Sequence, residues 1–134
     1  MTAKNHLYLL CSSTTFWTWF FLGGLWTNYY QDLSFISTLI FIILFPTIIL
    51  MLVGKRLLKS ITKKKYFKAS IICASYFAFV LLSYDFIYLK LYLNKSFDYL
   101  VDYWYLTFFS PIPYLILLPI GHFLDKLPNN TSNL

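Results

Sequence analysis

Apolar residues in this chain come in four long blocks, without the alternation of half-buried strands or the one-sided stripe of surface helices. The blocks run over about residues 7–26, 33–53, 69–89 and 99–124. A helix needs ~20 mostly apolar residues to cross the hydrocarbon core of a bilayer, and each block has that length. The pattern predicts an all-α, integral-membrane fold, a four-span antiparallel transmembrane helix bundle forming a single domain over 1–134. The first connection, Thr27–Asp32, is short enough to force neighbouring spans into a hairpin.

The blocks differ in quality. The first carries Ser12, Ser13, Thr14, Thr15 and Thr18, whose hydroxyls are expected to bond back to the helix's own carbonyls and so cost less in lipid. It is longer than the core of a cleaved signal peptide, so a retained signal anchor is expected. The second is strongly apolar. The fourth contains Pro111, Pro113 and Pro119, and each proline removes a backbone donor, so kinks or breaks are expected there. Pro46 has the same effect in the second.

Composition agrees. The chain is 59% hydrophobic and only 12% charged, against roughly 45–50% and 25% in soluble domains. A soluble fold this small leaves too much surface exposed to hide so much apolar area. Cys11 and Cys73 both sit inside apolar blocks and are expected to be small buried hydrophobes. No catalytic residue, cofactor or metal site is expected. His122 and Asp125, one turn apart, read as a solvated pair with too few ligands around them for a metal.

Charge sets an expected orientation. Residues 54–68 carry Lys55, Arg56, Lys59, Lys63, Lys64, Lys65 and Lys68 with no acid. Lys and Arg near span ends stay on the cytoplasmic side, so this basic loop is expected there. Lys4, Lys126 and the polar tail 125–134 then join it, with both termini cytoplasmic. Only Lys90 and Lys95 fall opposite. A bacterial inner membrane is preferred to a eukaryotic one. The seven basic residues are candidate contacts for anionic lipid headgroups, with Leu57, Leu58, Ile61, Tyr66 and Phe67 dipping into the surface. Nucleic acid is not an expected partner. The opposite end is rich in Tyr and Trp, including Trp26, Tyr29, Tyr30, Tyr84, Tyr88, Tyr92, Tyr99, Tyr103, Trp104 and Tyr105, which read as an interfacial aromatic belt.

The acids supply the candidate ligand or ion residues. Asp85 is the one acid well inside a span, where charge is costly and often functional. It lies on a stripe with Ala74, Ser75, Ala78 and Leu82, expected to face the bundle, with Lys90, Tyr88 or the hydroxyl-bearing face of the first helix as partner. Asp98 and Asp102 open the fourth block, where exposed helix N–H groups favour acids. With Asp85 they form a candidate outward-facing acid cluster. Lipoprotein signal peptidases also have four spans and a membrane-boundary Asp pair, but their Asn- and Gly-containing motifs are absent here. Small multidrug transporters need an acid in the first span, and this chain has none.

Three functions are expected, in this order. The first is a small polytopic protein that binds a membrane partner, another membrane protein or a copy of itself, as an accessory subunit or an immunity-type protein. The second is a transporter or channel component using Asp85 and the proline-interrupted fourth helix. The third is a membrane enzyme with outer-face carboxylates.

Overall fold

The computed structural model of the protein describes residues 2–26, 34–102 and 110–127. They are helical, with no strand among the described residues. Helix α1 is Ala3–Trp26, α2 is Phe35–Ile61 and α3 is Tyr66–Tyr92. A single turn, α4, covers Tyr99–Asp102, and α5 is Ile112–Lys126. Helices α2 and α3 have 27 residues each and are long and apolar enough to cross a membrane.

The long helices alternate in direction. Asn5 Nδ2 donates to the Ile61 carbonyl at 3.1 Å, while Trp19 Nε1 donates to the Phe41 carbonyl at 3.3 Å. The start of α1 therefore meets the end of α2. Helix α1 runs parallel to α3, since Thr14 meets Tyr84 and Trp17 meets Asp85. Helix α5 runs back along α3, with Asp125 beside Tyr66 and Tyr114 bonded to Ser75 at 2.8 Å. Helix α3 is the hub, packed on α5, α1 and α2.

Several expectations about the elements change. Helix α2 runs past 53 to Ile61, so Lys55, Arg56 and Lys59 stand on a helix and only the segment from Thr62 to Lys65 is loop. Leu57 and Leu58 do not dip outward. They sit in the main core with Leu9, Leu50, Cys73, Phe77 and Leu117, because the last turns of α2 face α5. Cys73 is buried there, whereas Cys11 lies on the exposed side of α1. Within block 99–124 the described helical pieces are α4 and α5, and residues 103–109 lie outside the description.

The prolines of α5 do not break it. Pro111 caps the helix and Pro113 occupies its first turn, where no N–H is needed and the fixed φ favours the helix. Only Pro119 lies inside. Pro46 acts differently in α2. The turns at Leu39–Leu44 are π-helical, and Phe45 N–H reaches back five residues to the Ile40 carbonyl. The next bond in that register would run from residue 46 to Phe41, but proline has no N–H. The indole of Trp19, on α1, donates to that Phe41 carbonyl instead.

Helix α5 approaches α3 most closely at Gly121. A Cβ there would lie 2.6 Å from Ser70 Oγ and 2.8 Å from the Tyr66 backbone oxygen. Gly54 is less tight, since its Cβ would meet the side-chain ends of Ile120 and Leu117 at 3.1 Å. Leucine and isoleucine ends can shift, but a helix backbone cannot. Gly121→Ala is therefore expected to cost ~1–3 kcal/mol, as overpacking does, and Gly54→Ala less. Denaturation in detergent, followed by circular dichroism, checks the order; equal losses would contradict it.

Candidate functional site

Two features gather the chemistry-bearing residues. The first is a polar and aromatic knot where α1 crosses α3. Asp85 lies half-buried at the end of the regular α-helical part of α3, just before a π-helical stretch over Phe86–Tyr92. Its carboxylate accepts from Trp17 Nε1 at 3.0 Å. One turn away, Thr14 Oγ1 and the Tyr84 hydroxyl share a bond of 3.0 Å. Trp17 stacks on Phe21 and tilts against Tyr84, with ring centroids 5.1 and 5.2 Å apart. Tyr88 sets its edge to Phe21 at 5.0 Å and stacks on Tyr92.

The partner of Asp85 is thus on the first helix, but it is an indole and not one of the hydroxyls. The stripe Ala74–Ser75–Ala78–Leu82 is not a uniformly buried face, since Ser75 and Leu82 are exposed. The buried face of α3 runs through Ser70, Cys73, Ala74, Phe77 and Leu81 instead. Among the aromatic residues at this end, Tyr84 and Tyr88 pack on Trp17 of α1, and Tyr92 stacks on Tyr88. Tyr29, Tyr30, Tyr103, Trp104 and Tyr105 lie outside the described residues, as do the side chains of Trp26 and Tyr99.

Asp98 and Asp102 do not join Asp85 in a metal-holding cluster. No group of three or more His, Cys or Asp side chains placed to hold a metal occurs among the described residues. Asp98 directly precedes α4 and its carboxylate accepts from the Ser96 hydroxyl at 2.8 Å. Its backbone oxygen receives the N–H groups of Val101 and Asp102, both at 2.9 Å. Asp102 ends the same turn, and both acids are exposed.

Asp125 has a role the sequence reading missed. Its two carboxylate oxygens accept from the backbone N–H groups of Tyr66 and Phe67 at 2.7 and 2.8 Å. Helix α3 begins after Lys65, which is left-handed (φ 59°) and caps nothing with its side chain. The cap therefore comes from another helix, and a good N-cap is worth ~1 kcal/mol. His122 pairs with Phe67, ring edge to face at 6.0 Å, and not with Asp125 as expected. The signal in the sequence would have been the lack of any Ser, Thr, Asp or Asn immediately before Tyr66, which leaves α3's first N–H groups in search of an acceptor.

The second feature is an open crevice between α1 and α2. One part, of about 370 Å³, is lined by Thr15, Phe16, Thr18, Trp19 and Leu22 facing Phe45, Pro46 and Ile49. A second part, of about 320 Å³, continues past Thr15, Phe16 and Ile49 to Tyr8, Ser12, Val53 and Arg56, with Phe77 of α3 as its floor. The serine and threonine hydroxyls along it are already satisfied. Ser12, Thr15 and Thr18 each donate to the carbonyl four residues back at 2.8 Å.

Charge is segregated along the bundle. Lys4, Lys55, Arg56, Lys59, Lys63, Lys64, Lys65, Lys68 and Lys126 all belong to the end where α1 and α3 start and α2 and α5 finish. Lys90, Lys95, Asp98 and Asp102 lie at the other, where Lys90 Nζ sits 4.5 Å from the Phe97 ring centre. No protein-family model, curated protein or solved structure matches the chain.

Removing the indole donor tests the knot. Trp17→Phe keeps the ring packing but leaves the Asp85 carboxylate without that bond. A hydrogen bond to a charged group is worth ~1.5–3 kcal/mol, and a loss near the lower end is expected because Asp85 is only half-buried. Adding Asp85→Leu to Trp17→Phe should recover much of it. A double-mutant cycle from unfolding in detergent reads the coupling, and additive losses would exclude it.

Proposed function

We propose that the chain is a multi-pass integral membrane protein that crosses the bilayer four times, with its basic end and both termini in the cytoplasm, and that it acts by binding a partner within the membrane. One observation supports the membrane reading above others: the helices turn large apolar side chains outward. Leu52 and Leu115 are 73% exposed and Phe79 is 74% exposed, and Ile36, Phe41, Ile87 and Leu91 are also open. Soluble monomers seldom show contiguous apolar patches beyond a few hundred Å², whereas lipid accepts such a surface. The back-bonded hydroxyls of α1 make its polar residues tolerable there. Helix α5 alone, at ~1.5 Å per residue, is ~22 Å long, shorter than a ~30 Å hydrocarbon core. The nine basic residues at one end favour the cytoplasm for that end.

The crevice between α1 and α2 supports the binding reading. These helices pack on α3 more fully than on each other, and the seam is open to whatever surrounds the bundle. The outward apolar faces of the helices leave room for a protein partner elsewhere on the bundle, in keeping with an accessory subunit or an immunity-type protein. Cysteine labelling tests the placement. In a chain lacking Cys11 and Cys73, Lys63→Cys and Lys126→Cys should react with an impermeant maleimide only from the cytoplasmic side, and Lys95→Cys only from the other. Reversed labelling would overturn the orientation, and release of the protein from membranes by alkaline carbonate would overturn the membrane reading.

A second reading, a transporter or channel component, draws on Asp85. It is an acid within a span, hydrogen-bonded across two helices and followed directly by a π-helical stretch, and such stretches often mark functional sites. On this reading the protein conducts protons or cations in liposomes, and Asp85→Asn lowers the flux at least tenfold, the scale of ~1.4 kcal/mol. No flux from the native protein, or unchanged flux in the variant, would dismiss it.

A further inference from the structure

We propose that the crevice between α1 and α2 is a lipid site, which takes one acyl chain of an anionic phospholipid and sets its phosphate at Arg56. The inference rests on the membrane placement above and names the partner at that seam.

The lining is graded. From Leu22 to Phe16 on one wall and Phe45 to Ile49 on the other it is hydrocarbon and aromatic surface. Toward the basic end it becomes Tyr8, Ser12 and Arg56. An amphiphile with a long tail and an anionic head matches that order. The hydroxyls of Ser12, Thr15 and Thr18 donate to their own helix, so the tail would meet no unsatisfied donor along the wall. From Tyr8 to Leu22 the crevice follows ~21 Å of helix at 1.5 Å per residue. That is deeper than one leaflet's share of a ~30 Å hydrocarbon core, so a whole acyl chain fits from headgroup level inward.

Size argues against a polypeptide. A helix with its side chains is ~10–12 Å across, so most of its girth would stay outside parts of roughly 370 and 320 Å³ that adjoin at Thr15, Phe16 and Ile49, whereas a single hydrocarbon chain is narrow enough to lie within them. Charge fixes the head group. Arg56 is exposed, and its guanidinium presents a planar fork of donors suited to phosphate. Lys59 stands one turn further along α2, and Lys4 one turn before Tyr8 on α1, on the faces that flank it. No described acid lines the crevice: Asp125 caps α3, Asp85 binds Trp17, and Asp98 and Asp102 lie at the opposite end of the bundle.

Native mass spectrometry of the full chain, released from nanodiscs of mixed phosphatidylcholine and phosphatidylglycerol, tests the site. A single phosphatidylglycerol should stay bound in preference to phosphatidylcholine. Arg56→Gln should reduce that preference about tenfold, the scale of one lost charge-assisted hydrogen bond. Ile49→Trp, which fills the crevice and leaves Arg56 in place, should abolish retention of either lipid. Equal retention by Arg56→Gln and the native chain would overturn the proposal. So would a photo-crosslinker at Ile49 that captures a polypeptide and no lipid. Incorporation into nanodiscs without bound lipid would sink the lipid site alone, while failure to incorporate would sink the membrane reading beneath it.

Discussion

The contact of Gly121 with Ser70 sets the distance between α5 and α3, and the rest of the bundle is arranged around that pair. With no side chain at 121, the two helices come close enough for Asp125, one turn further on, to reach the bare N–H groups of Tyr66 and Phe67. The same approach carries Leu117 and Leu124 into the core beside Leu58, Ala69 and Cys73. Helix α2 then closes on α5 at Gly54, where the side chains of Leu117 and Ile120 fill the gap. The basic end of the bundle is thus the well-packed end.

Helix α1 is attached differently. It rests on α3 through Leu9, Phe16 and Phe20 and through the two hydrogen bonds at Tyr84 and Asp85. Against α2 it has little more than Asn5 at one end and Trp19 toward the other. The crevice is a consequence: two helices are fixed to a third, and Phe16 and Phe45 line the gap left between them. That apolar lining is also what would grip a lipid tail.

Polar atoms follow one rule throughout. Most serine and threonine hydroxyls within the helices bond backward, as at Ser12, Ser13, Thr18, Thr38 and Ser83, while Thr14 and Ser75 bond to tyrosines of other helices. The carbonyl left over by Pro46 is served by Trp19, and the carboxylate of Asp85 by Trp17. Buried Ser110 is an exception, with no partner for its hydroxyl among the described residues. An unpaired polar group in apolar surroundings costs ~1–3 kcal/mol. That penalty explains why two tryptophans on α1 spend their N–H groups on other helices.

Helical character, the presence of long apolar blocks and the gathering of positive charge about residues 54–68 were legible in the sequence, because block length and charge count are properties of the chain itself. So was the back-bonding of Ser12, Ser13, Thr15 and Thr18 on the first helix, which needs only neighbours four residues away, whereas Thr14 turns to Tyr84 instead. Tertiary structure decided the rest. That α2 continues to Ile61 and that Leu57 and Leu58 turn inward depend on where α5 packs. The cap from Asp125 joins residues nearly sixty positions apart, and the bond from Trp17 to Asp85 joins a more distant pair. Local periodicity holds no information on such pairs. The crevice was invisible for the same reason: a gap belongs to two helices and to the third that spaces them, and no single segment encodes it.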